Sequence, residues 1–438
     1  MTTTINNEHK KLNFSSEREQ SQVYLNSAEH EKNQGQKVLN VPTKREQSQA
    51  CLNSAERDGL RPKSNVPNLR FPEFQGEWKE STIGEMFDLY SGNTPSRLNK
   101  EHFKGTVNWI SSGELKEHYI YSSKEQISEE AAKSLKLLPA GTFVIAIYGL
   151  EAEGVRGTGS ITQEPSTISQ ACMSFIPKGV IENEFLYSWY KKHGNVIGIR
   201  YAQGTKQQNL SYDILEKFMI AYPNTKEQEK LNKFISLLDD RIATQNKIID
   251  KLQPLIRGIS SRIFASIQGI EYRLGDIATI TNGDSNVQDA VTEPKDGMYP
   301  FFDRSEDVKY LPTFLFDKEA IIYPGEGTEF MPRYIKGKFA LHQRCYAIFD
   351  FKDTVTAQFL YFYLKTQNFY FIRNAVGSTV PSLRLDTFQK LKVIIPPKIM
   401  QHKVSLCLSS MEQKCNAEKV ILQLLLKQKL YLLCQMFI

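Results

Sequence analysis

The side chains that could do covalent chemistry in this chain are few and badly placed for it. Glu114-Leu115-Lys116 has the spacing that ends a nuclease carboxylate–lysine motif, but no acid on an upstream hairpin completes it. The seven histidines are scattered, and His342, beside Gln343 in a strand-like stretch, reads as a packed residue rather than a ligand. Cys51, Cys172, Cys345, Cys407, Cys415 and Cys434 form neither a CxxC pair nor a Cys/His metal spacing, so they read as reduced thiols. Gly325-Glu326-Gly327 is a turn, not a phosphate cradle. There is no Walker lysine loop, no dinucleotide fingerprint after a strand, no Asn/Asp-Pro-Pro-aromatic run of an amino-methyltransferase and no helicase signature. We therefore expect no catalytic residue, no metal and no cofactor on this chain. What remains is non-covalent chemistry, carried by donors and acceptors in loops.

Composition bounds the partners. A formal charge of +6 and a pI near 8.7 permit a polyanionic partner without demanding one. No run of 18 apolar residues exists, and the polar start Met1–Lys11 lacks an apolar signal core, so we expect a cytoplasmic chain with no membrane span. At 438 residues, two or three domains are expected.

The elements that would position those loops announce themselves as two stripes. Leu231, Ile235, Leu238, Ile242, Gln245, Ile249, Leu252, Ile256, Ile259 and Ile263 step by 4 and 3 without a slip, which is a heptad seam best buried against another helix. The stripe returns 173 residues on (404 − 231) as Val404, Leu408, Met411, Cys415, Glu418, Leu422, Leu425, Lys429, Leu432 and Met436, with the polar break at Gln245 repeated at Glu418. Two long helices could thus satisfy each other; the alternative is two unrelated helices, each packed on its own domain. Thr225 with Gln228 fits a capping box at the start of the first helix. Pro254 predicts a kink rather than an end, because the seam continues past it.

The segments before each helix repeat too. Ser81-Thr-Ile-Gly84-Glu85 through Gly92 is echoed by Tyr272-Arg-Leu-Gly275-Asp276 through Gly283, an offset of 191 (275 − 84), whereas Gly204, Leu210, Asp213 and Pro223 match Gly377, Leu383, Asp386 and Pro396 at 173. The first copy is therefore longer by about 18 residues somewhere between Gly92 and Gln170. The expected organisation is α/β (α+β): a polar tail over 1–67 with a 27-residue duplication (45 − 18), mobile or only locally helical; a mixed α/β domain over 68–224; a spacer helix over 225–268; a second domain over 269–397; and a second helix over 398–438.

With these residues in order, the chain resembles the specificity (S) subunits of type I restriction–modification systems. The resemblance covers about residues 68–438. It rests on Trp78…Ile83-Gly84-Glu85, on Gly204-Thr…Leu210…Asp213…Tyr222-Pro223…Glu227-Gln228 leading into a long helix, and on their second copies. It implies two target recognition domains, each reading half of a split DNA site, held apart by a long antiparallel two-helix coiled coil with an internal pseudo-twofold repeat. It also implies docking of methyltransferase (M) subunits, two of them, and through these of restriction (R) subunits. S-adenosylmethionine, ATP and Mg would then sit on the partner subunits only. The chain departs from the pattern in its duplicated tail and in Lys398-Ile-Met-Gln401, where the first copy has Thr225-Lys-Glu-Gln228.

Base edges and phosphates are read by Arg, Lys, Asn, Gln and hydroxyl side chains. The candidates in the first domain are Asn93, Arg97, Lys100, Lys104, Ser111, Ser112, Arg156, Thr158, Lys206 and Gln207. In the second they are Asn282, Ser285, Asn286, Arg304, Arg333, Lys336, Ser378, Thr379 and Arg384. For any one of them the plain alternative is a solvated surface side chain. The loops at Gly204 and Gly377 occur in both copies, so they fit the shared frame or phosphates; Arg156 and Arg333 lie in divergent loops and fit base contacts. A non-enzymatic scaffold that merely spaces two partner-binding modules is the competing reading. One contact distinguishes helix directions: an antiparallel pair should set Gln245 within a turn of Leu422 and Glu418 near Ile249, whereas a parallel pair should set Gln245 against Glu418.

Overall fold

The computed structural model describes residues 64–438 apart from 153 and 205–207. The expected tail lies outside the described residues as far as residue 63, and so do Lys206 and Gln207. The chain falls into two compact units, one running to Asn232 and taking in Leu430–Ile438, the other Lys233–Lys429.

The first unit contains β1 (Lys79–Thr82), β2 (Phe87–Ser91), β3 (Val107–Ile110), β4 (Tyr119–Ile120), β5 (Glu125–Ile127), β6 (Phe143–Ala146), β7 (Gly159–Thr162), β8 (Ser166–Ile168), β9 (Cys172–Pro177), helix α1 (Asn183–Tyr201) and β10 (Met219–Tyr222), followed by the start of the long helix α2 (Thr225–Ser266). Its strands form a five-stranded sheet in the order β2-β9-β6-β7-β4, a three-stranded sheet β5-β3-β8 and the pair β1-β10. β6 is buried along its whole length, which is why its sequence is an unbroken apolar run rather than an alternating one. α1 packs on β6 and β7 and buries Phe185, Leu186, Trp189 and Tyr190.

The second unit adds β11 (Ile270–Arg273), β12 (Thr279–Asn282), β13 (Tyr299–Phe302), β14 (Lys309–Leu311), β15 (Phe316–Pro324), β16 (Arg333–Leu341), β17 (Cys345–Phe349), helix α3 (Ala357–Lys365), β18 (Lys392–Ile395) and the long helix α4 (Lys398–Met436). Its sheet runs β12-β17-β15-β16-β13-β14, and β11 pairs with β18. The mixed α/β class expected from the sequence is what folds.

The repeat can be followed pair by pair. Ile110 pairs with Ile168 as Phe302 pairs with Leu341, both parallel, which equates 110 with 302 at an offset of 192. Val107 opposite Ile127 matches Tyr299 opposite Leu311, an offset of 184 (311 − 127). Phe143 opposite Phe175 matches Ile321 opposite Ile348, an offset of 178 (321 − 143), and Ile161 matches Tyr334 at 173. The first unit's extra length is therefore not one insertion. It is spread over the connections 111–124, 128–142 and 147–158, which hold the turn Ser112–Glu114 with β4, the helix Glu129–Lys133 and the Gly-rich loop. Glycine is demanded at the shared entry: a Cβ on Gly92 would lie 2.0 Å from the Ile168 carbonyl oxygen, and one on Gly283 1.9 Å from that of Leu341.

All twenty seam positions are buried or half-buried. In the second unit, Asp239 pairs with Lys429, Gln245 bonds Glu418, and Ile259, Ile263 and Phe264 share a cluster with Val404, Leu408 and Met411. As positions rise along α2 they fall along α4, so the two helices run antiparallel there. The contact proposed to tell the directions apart is thus corrected. Gln245 Nε2 donates to the Glu418 carboxylate at 2.5 Å and to its carbonyl at 3.0 Å, the contact assigned to a parallel pair. The test was not discriminating: equivalent positions of two repeats meet at the centre of an antiparallel pair, and these two lie close to that centre.

Two smaller expectations are also corrected. The α2 cap is Asn224, whose Oδ1 accepts the Glu227 amide at 3.1 Å, while Gln228 turns away to the domain. Cys172, Cys345, Cys407 and Cys415 are free thiols, but Cys434 is disulfide-bonded, against the reading of six reduced cysteines. α2 is continuous through Pro254. Among the described residues no helix is long and apolar enough to cross a membrane, and no group of three or more His, Cys, Asp or Glu could hold a metal ion.

Candidate nucleic-acid interface

In the first unit one group of candidates gathers where β3 ends. Asn93, placed by Gly92, donates its amide to the Ile168 carbonyl at 3.1 Å, and its own carbonyl accepts Trp109 Nε1 at 3.0 Å. Arg97 lies over the Phe103 and Trp109 rings at 4.5 and 5.4 Å and forks onto Glu125 at 2.9 and 2.8 Å, which holds the Glu125 carboxyl below its usual range. Ser111 donates its amide and hydroxyl to Glu114, whose other oxygen accepts the Lys124 amide. Glu114 is thus a loop clasp. Ser112 opens the same turn; Lys100 is exposed on the turn Lys100–Phe103, and Lys104 pairs with Glu101 at 2.7 Å.

A second group is tied together by the Gly-rich loop. Arg156 Nε donates to the Leu150 carbonyl at 2.8 Å, its stem lies against Gly198 of α1, and buried Thr158 donates to the Val155 carbonyl. The Glu151 carboxylate accepts the Gln208 amide at 2.9 Å, and the Leu150 amide donates to the Gln208 carbonyl, joining this loop to the one after Gly204. The backbone hydrogen bond from Gln208 holds the Glu151 carboxyl low.

The second unit places its candidates comparably. The Ser285 amide donates to the Leu341 carbonyl, as Asn93 does to Ile168; the Ser285 hydroxyl donates to Asp284, Asn282 donates to the Gln343 carbonyl at 3.2 Å, and Asn286 is exposed. After β13, Asp303 accepts the Ser305 amide at 2.8 Å and Lys309 at 2.6 Å. Burial pushes the Asp303 carboxyl up, but these bonds outweigh it and hold it below the usual range. Arg333 donates to the Ser305 carbonyl from over the Phe302 ring, and burial lowers its pKa; its Nη1 is buried with no hydrogen-bond partner among the described residues. Arg304 beside it is exposed, as are Lys336 on β16 and Arg384. Arg156 lies on its loop, but Arg333 opens β16 opposite Ile322, which corrects its placement in a loop; both are engaged by backbone carbonyls of their own unit.

The ends of the loops at Gly204 and Gly377 are tied into their units in the same way. Gln203 bridges Asn209 as Val376 bridges Ser382, and the Leu210 amide donates to the Ile147 carbonyl as Leu383 does to Gly325. Both glycines sit at positive φ, +112° and +102°, where a side chain would be strained. Ser378 and Thr379 ride exposed on this loop. Gln228 and its counterpart Gln401, read from the sequence only as part of a helix start, are the pair that fixes each domain to its helix. Gln228 Nε2 donates to the Val180 and Pro223 carbonyls while its Oε1 accepts the Glu182 amide; Gln401 does the same with Thr354, Pro396 and Thr356. Their shared offset of 173 was the signal in the sequence.

A doubled mixed α/β domain, each copy feeding a long helix and each carrying polar loops between its strands, defines a class. The family described as type I restriction modification DNA specificity domain matches residues 75–254 and 270–427, and the chain belongs to it. Among its relatives is the type I restriction enzyme MjaIX specificity subunit of Methanocaldococcus jannaschii, 25% identical over 394 residues, covering 80% of this chain and 90% of that protein. The EcoR124I/EcoR124II specificity subunit of Escherichia coli is 32% identical over 189 residues, covering 42% of this chain and 45% of its own. The crystal structure of the type I restriction–modification S subunit from M. genitalium superposes with a TM-score of 0.58 at 18% identity, over 85% of this chain and 99% of that one, which speaks to fold.

Proposed function

We propose that this specificity subunit is a non-catalytic DNA reader whose two domains, 68–224 and 269–397, are target recognition domains that each bind one half of a bipartite, asymmetric duplex site. The observation that supports this best is a frame whose strand pairs recur in both units while the connections 111–124, 128–142 and 147–158 differ from their counterparts. Two like frames with unlike loops suit two like grooves with unlike sequences. In this reading α2 and α4 form an antiparallel coiled-coil spacer about a pseudo-twofold axis, at 42 and 39 residues each about 60 Å long. Such a rod fixes a half-site spacing on a duplex that repeats about every 34 Å. Apolar side chains off the seam stand exposed on the helices, Leu255 and Leu424 among them, and these suit docking of two methyltransferase subunits that recruit restriction subunits in turn. S-adenosylmethionine, ATP and Mg belong to those partners, and the complex works in the cytoplasm.

The test is a footprint with purified S and M subunits. Two protected patches separated by an unprotected spacer, with affinity falling steeply as salt rises, are expected. Equal binding to random duplexes with no split footprint removes the proposal and leaves the scaffold reading.

A further inference from the structure

The repeat exposes a groove that is roofed in one unit and open in the other. In the first unit the segment Asn65–Trp78 lies across the start of α2. Its Leu69 amide donates to the Gln435 carbonyl at 3.0 Å. Arg70 forks onto Glu227 at 2.7 and 2.7 Å, and Trp78 Nε1 reaches the same carboxylate at 3.3 Å. Lys230 sits over the Phe71 ring at 4.5 Å and pairs with Glu73. Glu227 is left 1% exposed.

Adding 173 carries Glu227 to Met400 and Lys230 to Lys403; subtracting it carries Gln435 to Arg262, next to Ile263. Those positions outline a groove of about 650 Å³ in the second unit, lined by Ile263, Pro397, Ile399, Met400, Lys403 and Cys407. Its lining is mostly apolar, yet Ile399 is 73% and Met400 47% exposed. Chain geometry explains why it stays open. The residues before β1 are free to form the roof, whereas those before β11 are the end of α2 itself and form a wall.

We propose that this groove is a docking site for an extended segment of a partner protein. The chemistry of that segment follows from the roof of the first unit: an apolar residue, a Phe-Pro step and an acidic side chain close behind, with no arginine before the Phe. Lys403 keeps the cation that meets Phe71 and Glu73, so the aromatic ring and the acid remain matched. Met400 replaces the carboxylate that meets Arg70, so a buried arginine there would lose its counter-charge. The site is a preformed slot for a linear peptide. The inference goes beyond the DNA-reading proposal and does not depend on it.

The probe is a fluorescein-labelled peptide spanning Asn65–Trp78 with Arg70→Leu, titrated against the full chain by anisotropy. Saturable binding is expected, weakened at least tenfold by Ile399→Asp and by Lys403→Glu. Met400→Glu is expected to reverse the preference, so that the unaltered Arg70 peptide binds at least tenfold better than the Arg70→Leu peptide. All three side chains are exposed, so the variants should fold, which their thermal midpoints check. No binding, or binding indifferent to these three positions, overturns the proposal. Binding that appears only after residues 1–63 are removed overturns it in favour of the chain's own tail. A dimer in solution that Ile399→Asp converts to monomer overturns it in favour of a second copy.

Discussion

Gln228 and Gln401 each spend their whole side-chain amide on backbone groups of the adjacent domain, and both are fully buried. Removing one leaves a buried carbonyl, of Pro223 or Pro396, and a part-buried amide and carbonyl short of a protein partner, and an unsatisfied buried group costs about 1–3 kcal/mol. We predict that Gln401→Leu lowers stability by about 2–4 kcal/mol in urea unfolding, after, that Gln228→Leu does the same, and that the double variant is additive because the two share no partner. His193 supplies a pH test. Burial, with Lys192 beside it, pulls its pKa down to about 4, while its Nε2 lies 3.0 Å from the Ile438 carbonyl oxygen. Between about pH 6.5, the usual histidine value, and pH 4 the unfolded chain binds a proton that the folded chain refuses. Stability contributed by the neutral ring is therefore present above that window and is lost as pH falls through it. From pH 7 to pH 5 this amounts to at most about 2 kcal/mol by linkage, and His193→Gln should flatten that part of the curve; identical pH slopes for both proteins would refute it. The sequence marked Gln228 and Gln401 as matching positions at the helix starts but not these bonds, and a histidine on a helix looks ordinary.

At the scale of elements, the heptad seam was legible as a pattern because an uninterrupted 4,3 stripe has one favourable disposition, burial against a partner helix, and its positions are buried or half-buried. What it missed is how each long helix ends. Phe264, one residue beyond the first stripe, meets Phe359 of α3 at 5.6 Å; Phe437, its equivalent, meets Phe185 of α1 at 5.3 Å. Neither lies on the 4,3 spacing, so periodicity alone could not assign them. Phe264→Ala and Phe437→Ala should each cost about 3–5 kcal/mol, the range for emptying a buried aromatic site, read as a drop in the urea midpoint. The polar break has a different signature. Gln245 donates to Glu418, and hydrogen bonds from Lys414 and Gln245 hold the Glu418 carboxyl below its usual range. Gln245→Glu would set two carboxylates face to face, raising their folded pKa values above the unfolded ones. Its destabilisation should be full at pH 7.5 and relieved as pH falls toward 5, whereas Glu418→Gln should show no such relief. A Gln245→Glu deficit that does not change with pH would mean that the side chains have moved apart.

For the whole molecule, the order of domain and helix, twice over, was readable because landmarks at a fixed offset survive even where sequence between them does not. The location of the extra length was not readable, since three connections absorb it and no single gap marks them. That division makes the DNA-reading proposal open to a directed experiment. Lys100 and Arg304 are exposed loop cations, whereas Arg97, Arg156 and Arg333 are already held by Glu125 or by backbone carbonyls. A cation that meets a phosphate contributes affinity for every sequence, and its loss reduces the slope of log affinity against log salt by about 1. A cation that reads a base contributes only at its own position, about 1–3 kcal/mol. Replacing the 111–124 connection of the first unit with that of another such subunit should therefore alter the bases required in one half-site and leave the other half-site and the spacer untouched. The frame beneath it is anchored by Gly92 on Ile168 and by Trp109 on Asn93, and the exchanged segment must keep the groups that join it to that frame: β4 beside β7, the buried Leu115, and Ser123, which accepts the Trp109 amide. Sequencing of methylated sites in a host carrying the exchanged chain with its M subunits reads the result directly. Both half-sites changing together would mean that the two domains do not read independently, and the division of labour proposed here would fall.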